Sequence, residues 1–594
     1  MQPLRNHAQA LGLLLFFCTF TFHGAAASEA DEQLEKLYDE AWEFNLNESP
    51  ELATSVGDHR ANNRLDSVRV KDYLRRDKRR REFLQRLQAI DRQALSDAQK
   101  INYDMFSRKL RDAISEADFQ GYLIPITNRD GFHISFPELH RRIPMESVQD
   151  YENYIGRLRD FSRYTDEHIA LMRQGIERGM VLPAVSLENY RDVITPHIVS
   201  DPTRSQNYTP FKKFPESFDS DTRERLSKEA QQAISESVVP GYQRFLDFLH
   251  DEYVPAARGQ IGASALPHGR EYYRYRVRHF TTLDISPEEV HRIGLEEVAR
   301  IRGEMGQVIE QTGFEGDFAS FVQYLRSDPR FYPTSKEQLL EKTAAVLKKM
   351  DGELPRLFKT LPRMPYGIRE VPAFIAPLTT AAYYMTPAGD GTRAGFYYIN
   401  TYNLKSRPLY QIEALSLHEA VPGHHLQLAL QQELENVPPF RRFSGVTAFI
   451  EGWGLYSERL GLEVGFYEDP YSNFGRLSYE AWRACRLVVD TGIHYQGWTR
   501  QQAIDYMAEN TGLSLHNITA EVDRYISWPG QALAYKMGEL KIRQLRALAE
   551  KELGTNFDIR EFHDVVLRNG AIPLDVLDAQ VHAYISNAGR AATE

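Results

Sequence analysis

The chain has 594 residues, 42% of them hydrophobic and 26% charged, with a formal net charge of −11. These are ordinary globular proportions, which exclude a collagen, a disordered tail and a membrane-embedded bundle, and the length implies several lobes or one large body. The acidic excess argues against a nucleic-acid partner, which is normally met by basic surface.

The N-terminus has the layout of an export signal. Arg5 precedes the apolar stretch Leu11 to Phe22, and Gly24, Ala25, Ala26 and Ala27 follow it. Residues 1–27 are expected to be removed near Ala27, giving an exported protein, periplasmic or secreted, with no stable membrane span. Cys18 follows Phe16 and Phe17 rather than small residues, so lipidation is not expected. Cleavage removes Arg5 and Cys18, leaving a charge of −12 and Cys485 as the one thiol. No internal disulfide is then available. Cys485 lies among Ala484, Leu487 and Val488 and reads as a buried small hydrophobe.

Apolar residues at three- and four-residue spacing predict helices over 33–45, 68–92, 145–178 and 221–256. The basic run from Lys71 to Arg81 includes Asp72 and Asp77 and reads as a solvated helix face rather than an anion-binding patch. Residues 28–260 look purely helical. Ser286-Pro287-Glu288-Glu289 marks a helix start, with serine as N-cap and proline in the first turn. Three short segments read as strands: Glu370–Ala376, Ala382–Met385 and Gly395–Asn400. The expected fold is mainly α, with a small sheet beside the helix that follows. Residues 261–594 hold the strands and all the candidate chemistry.

That helix reads LHEAVPGHHLQL over residues 417–428. Two histidines four residues apart would share a helix face and hold one metal ion. Here the separation from His418 is six (His424) or seven (His425). On a regular helix His424 falls on the wrong side and His425 about 10 Å too far along. Pro422 removes a backbone donor and Gly423 accepts unusual backbone angles, so the helix is expected to bulge, which can bring His424 under His418. Glu419, next to His418, is a candidate general base.

A third ligand is sought in SGVTAFIEGWGLYSERL, residues 444–460. Glu451 interrupts an apolar face there, and a buried lone carboxylate is costly unless paired or bound to metal. Glu458 lies seven residues on, where it can orient a ligand histidine or form a surface salt bridge.

HEAVPGHH, FIEGWGLYSE, ACRLVVDTGIH and WPGQALAYKMG together resemble a bacterial family catalogued as a domain of unknown function. That family is similar in turn to the gluzincin metallopeptidases, distantly to the angiotensin-converting-enzyme and thermostable-carboxypeptidase groups. The resemblance covers most of the chain after residue 27. It implies a zincin-like fold, one Zn2+ per chain held by His418, His424 and Glu451, and Glu419 as general base. The widened histidine spacing keeps His425 as an alternative ligand.

Two further segments carry polar stripes. In AWRACRLVVDTGIHY, Arg483, Arg486, Asp490 and His494 share one face of an otherwise apolar helix. They are read either as a cavity wall, with Arg483, Arg486 and His494 binding substrate, or as an internal Arg486–Asp490 pair. The resemblance to such peptidases also implies a tyrosine near the zinc that donates to a developing oxyanion; in RYISWPGQALAYKMG the candidate is Tyr535, with Tyr525 second.

These readings converge on an exported zinc peptidase acting on short peptides, as an exopeptidase or oligopeptidase. The alternatives are a zinc amidase on cell-wall or small amide substrates, and a non-catalytic binding protein stapled by metal. Oligomeric state is open.

Overall fold

The computed structural model describes residues 28–591, except 374–375, 377–379, 388–392 and 436. The proposed signal segment, with Cys18, lies outside the described residues. The architecture is mainly helical. In the first half, α1 (Glu29–Glu48), α2 (Val70–Gln88), α3 (Asp97–Asp118) and α4 (Val148–Glu177) are the longest helices. The expected 221–256 helix runs from Ser220 but is interrupted by wider turns at Ile234–Val238 and Leu249–Tyr253. In the second half come α5 (Pro287–Gln311), α6 (Ile412–Glu419), α7 (His424–Gln432), α8 (Thr447–Leu460), α9 (Pro470–Thr491), α10 (Leu515–Ser527) and α11 (Ala534–Leu553). As the sequence predicts, α5 starts at a serine cap, the Ser286 side chain accepting from the Glu289 amide.

The basic run lies on α2, and four of its arginines, Arg75, Arg76, Arg79 and Arg81, are ion-paired. Arg75 and Arg76 both pair with Glu48, and Arg81 Nε lies 2.9 Å from Asp77. These pairs tie most of its arginines to neighbouring acids, as expected of a solvated helix face.

The sheet has three strands in the order β1–β3–β2. β1 (Tyr366–Glu370) is parallel to β3 (Gly395–Ile399), and β2 (Ala382–Met385) is antiparallel to it. The second and third strands fall where expected. The first is a correction: it precedes the expected Glu370–Ala376 run, which contributes only Glu370 and a Val371 amide bonded to the Ile399 carbonyl. Pro372 has no amide to extend the ladder, and residues 374–375 lie outside the described set.

The apolar core is held in large clusters. One joins Leu34, Phe83 and Leu110 to Leu417, Trp453 and Ile542; another joins Tyr154, Phe161 and Tyr242 to Leu487 and Met537. Both draw on residues from either side of position 260, so the N-terminal helices help to wall in the helices that carry the candidate chemistry. Cys485 is fully buried in a third cluster, and burial raises its thiol pKa. No helix among the described residues is long and apolar enough to cross a membrane.

Candidate metal centre

The helix carrying His418 stops at Glu419 and restarts at His424. Between them Ala420 (φ −107°, ψ −105°) and Gly423 (φ −75°, ψ −126°) leave helical geometry, so the expected bulge is a complete break. Gly423 lies so close to the Leu417 and His418 carbonyls that no side chain fits there. The Trp453 indole donates a 2.8 Å hydrogen bond to the Pro422 carbonyl and fixes the turn to α8.

The break sets His424 edge-to-face against His418, with ring centroids 4.6 Å apart and planes at 83°. Glu451 meets both. Its Oε2 lies 3.6 Å from His418 Nε2 and 3.6 Å from His424 Nε2, and one ligand atom from each of the three lies within 4.8 Å of the others. A tetrahedral ion with bonds of about 2.0–2.2 Å sets its ligand atoms roughly 3.3–3.6 Å apart. The donor set of two imidazoles and a carboxylate therefore fits one zinc-sized cation.

The electrostatics agree with a site for positive charge. Burial disfavours charge on His418, but Glu451 and Glu458 outweigh it and raise the pKa to about 9. Burial likewise opposes ionisation of Glu451, but the two histidines outweigh it and lower the pKa to about 2. His424 is pushed down to about 4, by burial and then by His418. Glu419 is raised to about 7, chiefly by desolvation; the charge on His418 opposes this and that on Glu451 adds to it. A carboxyl in that range can take and return a proton near neutrality.

Around this set the other expected residues divide. Glu458 is buried and its Oε1 accepts from His418 Nδ1 at 2.8 Å, which leaves Nε2 free to face a metal. Arg483 points to Glu458, with Nη2 3.4 Å from Oε1, so it is positioned to hold that carboxylate rather than a substrate. His425 turns away. Its Nδ1 lies 2.7 Å from the Tyr384 hydroxyl of β2, and its ring packs on Tyr366 of β1.

Tyr535 sits beside the centre. Burial and the charge on Glu451 raise its hydroxyl pKa, and the Arg486 guanidinium lies 4.3 Å over its ring. Tyr525 is fully engaged: it accepts from Trp482 Nε1 and Arg486 Nε and donates to Glu521.

Arg486 pairs with Glu521, not Asp490. Asp490 instead accepts from the Tyr273 hydroxyl (2.6 Å) and the Gly530 amide (3.0 Å). His494 does not line the centre. It is fully buried, its Nδ1 accepting from the Ala263 amide and its Nε2 bonding the Tyr525 carbonyl, both at 2.9 Å. One residue, Tyr397, lies outside the sequence expectations. Tyr397 of β3 is buried near Glu419, whose charge, after burial, raises its pKa. Gly454 lies under the His418 ring. Tyr397 is hidden in an aromatic run, GFYYIN, that signals only a strand.

Fold and site together define a mainly helical protein with a His-His-Glu candidate metal centre at a break between two short helices. The chain belongs to the bacterial proteins of unknown function designated DUF885, whose family model matches residues 50–581. It is similar to a solved structure described as "the putative lipoprotein from Colwellia psychrerythraea", at 30% identity and a TM-score of 0.89, over 95% of this chain and 100% of that one. It also shares its fold with "a putative lipoprotein of unknown function from Shewanella oneidensis", at 16% identity and a TM-score of 0.66, over 93% of this chain and 99% of that one. No curated protein matches the chain.

Proposed function

We propose that the protein is an exported zinc-dependent peptidase of gluzincin type. The observation that carries this reading is the meeting of His418, His424 and Glu451 ligand atoms within 4.8 Å, with Glu419 beside them. His418, His424 and Glu451 would hold one zinc ion, which supplies a Lewis acid for the scissile carbonyl and an acidified water. Glu419 takes the proton of the attacking water and passes it to the leaving amine. Tyr535 donates its hydroxyl hydrogen bond to the oxygen on which negative charge develops. Glu458, steadied by Arg483, fixes the ring orientation of His418.

The substrate reading rests on Arg486. Its Nε and Nη2 are engaged, but Nη1 is buried and has no hydrogen-bond partner among the described residues. A buried guanidinium with unused donors beside Tyr535 suits the free carboxylate of a short peptide. Export is supported by the layout of residues 1–27 and by lipoprotein descriptions of similar chains.

The test is metal analysis of purified protein together with turnover of mixed short peptides before and after chelation. About one zinc per chain and chelator-sensitive cleavage are expected. A metal-loaded protein that cleaves small amides but no peptide would favour the amidase alternative. Bound metal without turnover of either would favour a binding protein.

A further inference from the structure

On the far side of α8 from the metal centre, a cavity of about 480 Å³ opens between α5, α8 and α11. Four arginines line it: Arg300, Arg459, Arg543 and Arg546. The carboxylates on its walls are already committed. Glu297 meets Lys536 at 2.9 Å and Arg300 at 2.7 Å, while Glu463 and Glu550 both take Arg546, at 2.6 and 2.8 Å.

The cations are not all committed. Arg300 uses its guanidinium on Glu297, Glu304 and Glu480, and Arg546 uses its own on Glu463, Glu550 and the Tyr456 hydroxyl. Arg543 commits Nη1, to Glu539 at 3.1 Å and Glu480 at 3.9 Å, and neither Nε nor Nη2 has a hydrogen-bond partner among the described residues. The Arg459 side chain makes no hydrogen bond and no ion pair among the described residues, although it is half-buried. Burial and then the charge of Arg543 hold its guanidinium below the usual range. The unused hydrogen-bonding capacity of the two guanidinium groups in the cavity is therefore donor-only, on neighbouring cations.

We infer that Arg459 and Arg543 form a binding site for a tetrahedral oxyanion such as phosphate or sulfate. Two guanidinium forks in one cavity offer N–H donors of the kind such an anion accepts, and its charge offsets the repulsion of Arg543 on Arg459. The site is separate from the metal centre, but Arg459 directly follows Glu458, the partner of His418. An occupied site would bear on the residue that orients a proposed metal ligand.

The experiment titrates the purified full chain with inorganic phosphate by calorimetry, at constant ionic strength set with chloride. Sulfate and the same protein without phosphate serve as further arms. Saturable binding of about one phosphate per chain is expected, with affinity falling at least tenfold in both Arg459→Gln and Arg543→Gln. His418→Ala, which dismantles the metal centre, should bind phosphate as the parent does. Circular dichroism and Tm of each variant establish that it is folded, and Arg459→Lys should retain part of the affinity if the first replacement unfolds the chain. No saturable heat, or unchanged affinity in both arginine variants, overturns the inference. Binding lost in His418→Ala but kept in Arg459→Gln would put the anion at the metal centre and also overturn it.

Discussion

Gly454 and His418 are in contact such that a Cβ built on the glycine would lie 2.7 Å from Cε1 of the imidazole and 2.9 Å from Nε2. Helix α8 thus serves as a floor for the ring as well as the source of Glu451. Gly454→Ala should push His418 off its position. We expect metal affinity to fall roughly 10–100-fold, the range typical of lost support for a ligand. Overpacking should cost about 1–3 kcal/mol of stability. Competition with a calibrated chelator measures the first and denaturant unfolding the second. Parental affinity in a folded Gly454→Ala protein would mean that the ring has room to spare.

His424 and His425 are adjacent in sequence and differ in role. His424→Ala should lose metal, because its Nε2 faces Glu451. His425→Ala should retain metal and lose stability, because its ring fills a space between Tyr366 and Tyr384. Metal content after dialysis ranks the two, and the opposite ranking would move the ligand role to His425.

Glu419→Gln preserves shape while removing the base. Metal content should stay at the parental level and peptide turnover should fall by at least roughly 100-fold. Near-parental turnover would exclude Glu419 from proton transfer.

Short peptides with free and amidated C-termini separate the carboxylate reading from the zinc chemistry. The parent should prefer the free acid, and Arg486→Gln should erase most of that preference through KM. Equal rates on both peptides in the parent would remove the carboxylate clamp and leave the metal chemistry untouched. Rapid internal cleavage of an intact folded protein would count against confinement to short peptides.

Asp490 supplies a pH signature away from the metal. Burial raises its carboxyl to about 7, despite hydrogen bonds from Tyr273 and Gly530 that favour the ion. A carboxyl raised in the folded state is neutral in both states below about pH 4, so stability is full there and is lost as pH rises toward 7. Asn keeps the acceptor oxygen without the charge. The Tm of Asp490→Asn should match the parent near pH 3.5, where Asp490 is protonated in both states, and exceed it by about 2 °C or more at pH 8. A gap that is constant with pH would show that Asp490 stays ionised throughout.

Helix positions and the His-Glu-His grouping were legible because they depend on near neighbours. Period 3.6 marks a buried face, and Pro422-Gly423 states where that period must fail. Non-local partners were not legible. Arg486 and Asp490 have ideal spacing for a pair within one helix, yet Glu521 of α10 and Gly530 before α11 claim them instead. His494 shares their stripe but is capped by two backbone groups from distant segments. The first strand was misplaced for a related reason. YGIRE has weak strand character of its own and becomes a strand by pairing with GFYYI.

Gly452 and Gly538 bring α8 and α11 together backbone to backbone: a Cβ on Gly452 would lie 2.5 Å from the Gly538 Cα. Glu451 is the residue before one glycine and Tyr535 lies three residues before the other. Mechanically, that contact is a pivot, and both functional groups sit on very short lever arms. At about 1.5 Å of rise per residue, a 10° swing of one helix about the pivot moves the Tyr535 backbone by only about 1 Å. A small rotation of one helix against the other therefore leaves the spacing between the Glu451 and Tyr535 backbones nearly unchanged.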